Sequence, residues 1–187
     1  MRVISGTAKG ITLEAPRGSL VRPTLDRVKE TIFNVIAKAV NGANALDLFA
    51  GTGQLGIEAL SREANACVFV EKSGRVVKIL KSNLEKTSLA GNAHILKCDV
   101  FEALNILKAG KNKFDIVFAD PPYAENFFKK TNLLKSGLLC DIMTRNSLFI
   151  VEHTKELAID PGGGFELRRK LDFGQTGVSV LKRKYDE

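Results

Sequence analysis

Asp120-Pro121-Pro122-Tyr123 combines three side-chain types with different chemical tasks. A carboxylate accepts an N–H, two ring-locked prolines stiffen the backbone around a carbonyl, and a tyrosine offers a flat face. That set suits a planar exocyclic amine. The lone pair of such an amine is delocalised into its ring, so it must be held in line with an electrophile and polarised before it attacks. One N–H can go to Asp120 and the other to the fixed carbonyl, while Tyr123 stacks on a base drawn out of its helix. A plain Pro-Pro turn explains Pro121 but neither flanking residue. Three further acids, Asp47, Glu71 and Asp99, precede Asp120, with successive separations of 24, 28 and 21 residues.

Those separations are each about one strand-helix unit, and the surrounding pattern supplies the elements. Short apolar runs predict strands over Ala45–Phe49, Ala66–Glu71, His94–Cys98 and Phe114–Ala119. Helical spacing fills Gln54–Arg62, Ser73–Thr87 and about Phe101–Ala109. Alternation of this kind implies a mostly parallel sheet covered by helices. Strands over Ser147–Glu152, Phe165–Phe173 and Val178–Arg183 follow, and the short link Gly174–Gly177 implies an antiparallel hairpin at the sheet edge. The four acids then stand at four strand ends along one edge, where open α/β sheets bind ligands.

The first strand runs into Gly51-Thr52-Gly53-Gln54-Leu55-Gly56, a turn that lets backbone approach a nucleotide at a helix N-terminus. Gly51-x-Gly53-x-x-Gly56 also matches the dinucleotide fingerprint. Two features lead away from a nicotinamide cofactor. Asp47 is a carboxylate inside a strand end, costly unless a cation such as a methionine amino group meets it. Asp120–Tyr123 has no part in hydride transfer. Together the stretches point to S-adenosylmethionine-dependent methylation of an exocyclic amine. Glu71 suits a ribose diol, or it caps the next helix. Asp99 binds the adenine amine or caps the helix after it. Phe49 reads as core, although its place beside Asp47 and Gly51 puts it, with Thr52 and Val100, among the expected cofactor neighbours.

Length and composition fit one domain with a full core: 187 residues, 44% of them hydrophobic. No run is long enough to span a bilayer, so a soluble cytoplasmic protein is expected. Cys67, Cys98 and Cys140 are odd in number and far apart, and His94 and His153 lack partners at ligand spacing. Neither a disulfide framework nor a metal is expected. The net charge of +7 is uneven, with seven Lys/Arg against three Asp/Glu in residues 1–42. A polyanion docking near the N-terminus is the reading that uses this asymmetry. Arg2–Ser5 and Ile11–Glu14 predict a small hairpin, Pro16–Pro23 a connector, and Val28, Ile32, Val35, Ile36, Ala39 and Val40 one face of a helix stopped by Asn41-Gly42. Residues 1–42 are thus expected to form a basic arm and helix, and 43–187 the catalytic domain.

Motif order, size and the lead-in Arg22-Pro23-Thr24-x-Asp26-Arg27-Val28-Lys29-Glu30-Thr31 resemble the RsmD family, across nearly the whole chain. The resemblance implies a Rossmann-like methyltransferase fold, with a mostly parallel seven-stranded sheet ending in an antiparallel hairpin. It also implies transfer of a methyl group from S-adenosylmethionine to the 2-amino group of a guanine in small-subunit ribosomal RNA. Asp47, Gly51, Gly53, Glu71 and Asp99 would contact the cofactor, and Asp120, Pro121, Pro122 and Tyr123 the target amine. Arg22 and Arg27, with Lys29, would face RNA. The expected partner is that RNA or its assembling particle, and the expected state a monomer. Competing readings are an amine methyltransferase acting on another nucleic-acid base or on protein glutamine, an inactive RNA-binding relative, and an NAD-dependent oxidoreductase.

Overall fold

A computed structural model describes residues 1–16, 23–121, 133–135, 137–162 and 164–184, without the side chains of 23–25. Arg17, Gly18, Arg22, Pro122 and Tyr123 lie outside what is described.

The N-terminal hairpin forms with little strand character. Arg2 and Thr12 make a single antiparallel bridge, supported by Val3 N–H to Ile11 O at 3.0 Å and Leu13 N–H to Met1 O at 2.8 Å. Helix α1 (Pro23–Val35) starts on a proline, whose missing N–H costs nothing in the first turn, and α2 (Ala37–Val40) follows after a break at Ile36. The expected single helix is therefore two, and Gly42 ends the second at φ +72°. Then come β1 (Asn44–Asp47), α3 (Gln54–Ser61), β2 (Ala66–Val70), α4 (Gly74–Lys86), β3 (Ala93–Leu96), α5 (Val100–Ala109) and β4 (Phe114–Ala119). After α6 (Leu138–Ile142) the chain closes with β5 (Met143–Thr154), β6 (Phe165–Phe173) and β7 (Thr176–Arg183).

The strands form one seven-stranded sheet in the order β3-β2-β1-β4-β5-β7-β6. The first five are parallel, and β7 is antiparallel to both β5 and β6. The β6–β7 link tightens to two residues, with Gly174 at φ +60° in its first position, where a two-residue hairpin needs glycine. Strand β5 begins four residues before the expected Ser147. A register shift between Phe114 and Ile116 lets Met143 pair with Phe114 and Leu148 with Ile116. The extra residues hide the two-residue alternation that sequence reading depends on.

Each face of the sheet carries a core. Val28, Ile32 and Phe33 of α1, Ile57 of α3 and Leu80 of α4 bury Ala45, Phe69, Phe118 and Ile150. Val100, Leu104 and Leu107 of α5, with Leu139 and Ile142 of α6, bury Leu46, Val117, Ala119 and Val151. Val3, Ala8 and Leu13 of the hairpin belong to the first core, so the hairpin and α1 pack on the same sheet.

Candidate active site

Side chains alternate along a strand, so residues two apart share a face. Ala45, Phe69, Phe118 and Ile150 all enter the α1-side core. Two positions further on from each stand Asp47, Glu71, Asp120 and Glu152. In the spatial order β2-β1-β4-β5, four carboxylates thus form a row on one face at one end of the sheet. Three belong to the expected set. Glu152 does not, and its signal was available: the predicted strand Ser147–Glu152 ends on it.

Asp47 is buried, with 2% of its surface exposed, and its Oδ2 accepts the Gly56 N–H at 3.1 Å. Burial still lifts its carboxyl to about 7 against that bond, with the charges of Asp120 and Glu71 adding to the rise. The backbone amides of Gly56 and Phe49 together do not offset the loss of solvation, which leaves room for a cation. Gly53 sits at φ +92° ahead of α3, and a Cβ there would lie 2.5 Å from Leu80 Cδ1. Its task is the shape of the turn. Asn83 of α4 braces that turn, donating from Nδ2 to Thr52 O at 2.9 Å and to Glu14 O at 3.1 Å.

Glu71 serves two backbone groups: Oε2 accepts from Gly51 N at 3.2 Å and Oε1 from Ser73 N at 2.7 Å. It therefore joins the glycine turn to the start of α4, whose own cap is Ser73. Asp99 is the N-cap of α5, with Oδ1 accepting from Phe101 N at 2.8 Å and Glu102 N at 3.1 Å. Both bonds use one oxygen, and Asp99 also borders the main cavity. Cap and ligand contact are compatible there.

Two cavities meet at this row. The larger, about 780 Å3, runs along the ends of β1 to β3 past Phe49, Glu71, Cys98, Asp99, Val100 and Phe101. The smaller, about 110 Å3, lies under α1 and is bordered by Asp47, Thr52, Gln54 and Glu152. Phe49, Gly51 and Asp120 line both. Phe49 packs against the second core, as expected, and also walls both cavities. Cys98, expected inside a strand, stands two residues past the end of β3 on the larger cavity. Asp120 is exposed to the cavities, yet the protein crowded around its carboxyl desolvates it and lifts it to about 6. Burial and the Asp120 charge raise Glu152 to about 8. Pro121, buried, follows at once.

Lys29 departs from its expected place on the RNA-facing surface. It is 3% exposed, and its Nζ lies 3.1 Å from Glu58 Oε2 and donates to Arg2 O at 2.6 Å. Helical spacing puts it one residue after the buried Val28, at the margin of the inward face. Arg27 is exposed. His153 is occupied on both ring nitrogens: Nδ1 donates to Thr154 O at 2.6 Å, and Nε2 accepts from Ser179 Oγ at 2.8 Å. The carbonyl can only accept, which fixes the tautomer.

The residues present fit S-adenosylmethionine. A bare glycine turn, an undercompensated carboxyl at Asp47, carboxylate oxygens at Glu71 and Asp99, and apolar walls at Phe49, Val100 and Phe101 match an ammonium, a ribose and an adenine. Fold and site together define a Rossmann-like S-adenosylmethionine-dependent methyltransferase. A putative methyltransferase from Escherichia coli, yhhF, superposes with a TM-score of 0.80 at 35% identity, covering 98% of both chains. The chain belongs to the family described as "Conserved hypothetical protein 95", whose sequence model matches residues 1–182. It is 38% identical to the putative rRNA methyltransferase YlbH of Bacillus subtilis, over 98% of this chain and all of that one. It is 35% identical to ribosomal RNA small subunit methyltransferase D of Escherichia coli strain K12, over 98% of this chain and 90% of that one. The resemblance read from the sequence is borne out.

Proposed function

We propose that this protein transfers a methyl group from S-adenosylmethionine to the exocyclic 2-amino group of a guanine in small-subunit (16S) ribosomal RNA. The observation that carries the reading is the position of Asp120, a carboxylate followed by a buried proline where the two cavities join. The names of the family relatives support the RNA substrate.

Bound in the larger cavity, with its methionine end reaching toward Asp47 at the smaller one, S-adenosylmethionine would supply an electrophilic methyl group on a sulfonium. Glu71 would accept from the ribose hydroxyls, Asp99 and Val100 would border the adenine, and Asp47 would meet the methionine ammonium. Asp120 accepts one N–H of the target amine and so raises electron density on its nitrogen. The backbone carbonyl of Pro121 would take the second N–H, which would set the lone pair toward the methyl group. Tyr123 is assigned to stacking on the base by its sequence position. The hairpin and α1, with Arg22 and Arg27, would meet the RNA or the assembling particle. A cytoplasmic monomer is the simplest setting for such an enzyme.

The test is methyl transfer from labelled S-adenosylmethionine to 16S RNA or small-subunit particles from cells lacking the gene, read by nucleoside mass spectrometry. N2-methylguanosine is expected, and none from RNA carrying inosine at the target, which lacks the amine. Asp120→Ala should bind the cofactor normally and lose roughly a hundredfold or more in kcat, the scale of removing one polarising group. Label in methyladenosine, or on inosine RNA, would overturn the reading.

A further inference from the structure

We propose that Glu152 is a second catalytic carboxylate, paired with Asp120, and that the pair takes up the proton the target amine loses on methylation. The inference rests on the amine-methylation reading above. Its geometrical basis is independent of any relative. Ala119 of β4 pairs with Val151 of β5, so Asp120 and Glu152 are the next residues on neighbouring parallel strands. Both face the α1 side and both border the smaller cavity.

The charged neighbours do not compensate the pair. From β1 comes Asp47, another carboxyl, and from α1 comes Lys29, whose ammonium is held by Glu58 and the Arg2 carbonyl. From β7 the residue opposite Glu152 is Val178. Among the described residues lining the cavity, Lys29 is the one cation, and it is engaged elsewhere. Two carboxyls on adjacent strands, with no free cation beside them among the described residues, cannot both ionise easily, and they share one proton. Their apparent values, about 6 and about 8, leave the singly protonated pair dominant near neutrality.

The amine nitrogen forms a bond to the methyl carbon, and the carbon–sulfur bond breaks with its electrons going to sulfur, leaving a neutral thioether. The nitrogen, now positively charged, gives its extra proton to the ionised Asp120. The pair then holds two protons and releases one to cavity water, which restores its starting state. A fully protonated pair cannot accept the proton. A fully ionised one binds the amine with its two charges in repulsion.

The experiment compares wild type with Glu152→Gln, an isosteric change, in methyl transfer from S-adenosylmethionine to 16S RNA across pH. Wild type should give a bell-shaped kcat/KM profile with limbs near 6 and 8. Glu152→Gln, which mimics the protonated Glu152 of the active pair, should lose the alkaline limb, keep the acid limb, and change kcat/KM near neutrality by less than about tenfold. Cofactor affinity by titration calorimetry should stay within about twofold of wild type, a factor worth under ~0.5 kcal/mol. A retained alkaline limb overturns the proposal. A tenfold loss of cofactor affinity also overturns it, because Glu152 would then serve the methionine end. Carbon-13 shifts of the Glu152 carboxyl, followed in wild-type protein alone, must report titration well above the ordinary glutamate range. An ordinary value overturns the pair even with no substrate present. Wild-type protein that methylates no RNA amine would instead remove the functional reading on which the proposal rests.

Discussion

Glu71 shows how one carboxylate can hold a fold and a ligand together. Its two oxygens already accept from Gly51 N and Ser73 N, at 3.2 and 2.7 Å. Each oxygen keeps a lone pair directed elsewhere, so a ribose diol can be added without breaking the brace. Glu71→Ala should therefore weaken S-adenosylmethionine binding by about 1–3 kcal/mol, the loss of charge-assisted hydrogen bonds. Titration calorimetry measures it directly. The fold should persist, because the residue lies beyond the last paired position of β2. If affinity is unchanged while the melting temperature drops, Glu71 is a brace and nothing more. Asp47 is the converse case: its backbone partners, Gly56 and Phe49, leave it short of compensation, and the deficit points at a cationic group of the ligand.

Helix α3 and the N-terminal hairpin are joined by another carboxylate, Glu58. Fully buried, it accepts from Ile4 N at 2.8 Å, Ser5 N at 3.0 Å and Arg62 Nε at 2.8 Å, and pairs with Lys29 at 3.1 Å. Ser61 completes the joint, since its Oγ accepts from Ala8 N and donates to Ser5 O. Gly6 lies over the helix end so closely that a Cβ would stand 1.6 Å from Ser61 O. Glu58→Ala would leave the Lys29 ammonium buried without its counter-charge, and the Ile4, Ser5 and Arg62 donors without their acceptor. The expected cost is ~3–5 kcal/mol in denaturant unfolding. Replacing Lys29 by Met in the same background should recover part of that loss. A loss below about 1 kcal/mol for Glu58→Ala would mean that the hairpin is held by its apolar residues alone.

At the scale of the molecule, the raised carboxyls predict how stability depends on pH. A carboxyl raised in the folded state favours folding fully below its ordinary value and loses that contribution as pH rises through the folded value. For Asp47 the window runs from 3.8 to about 7, and for Glu152 from 4.5 to about 8. His153, lowered by burial, works the other way, but only below its ordinary 6.5. Between about pH 6.5 and 8.5 the carboxyls act alone, so the melting temperature of the free protein should fall. Saturating S-adenosylmethionine should flatten that slope by matching Asp47 with an ammonium, and Asp47→Asn should flatten it without cofactor. A rise across the same window would contradict the burial of these groups. RNA binding is the other whole-molecule property. Arg27→Ala should reduce the salt slope of binding by about one unit for each phosphate that the guanidinium neutralises. Lys29→Met should leave the slope alone, because that ammonium never reaches solvent.

Much of this was legible in the sequence, because the signals are local. Strand and helix periods, the glycine turn and acids at regular separations follow from a few neighbouring residues, and they determined the α/β alternation, the cofactor edge and the amine motif. Helix caps were legible too: Asp99 could be named as one before its bonds were seen. Tertiary structure decided what depends on partners far along the chain. Lys29 and Arg27 are neighbouring cations, yet one is drawn inward by Glu58 on a helix 29 residues away and the other stays in water. The extra residues of β5 pair only because β4 accepts a register shift. Glu152 gains its meaning from lying beside Asp120, 32 positions earlier in the chain, since the energy of a buried charge is set by what surrounds it in space.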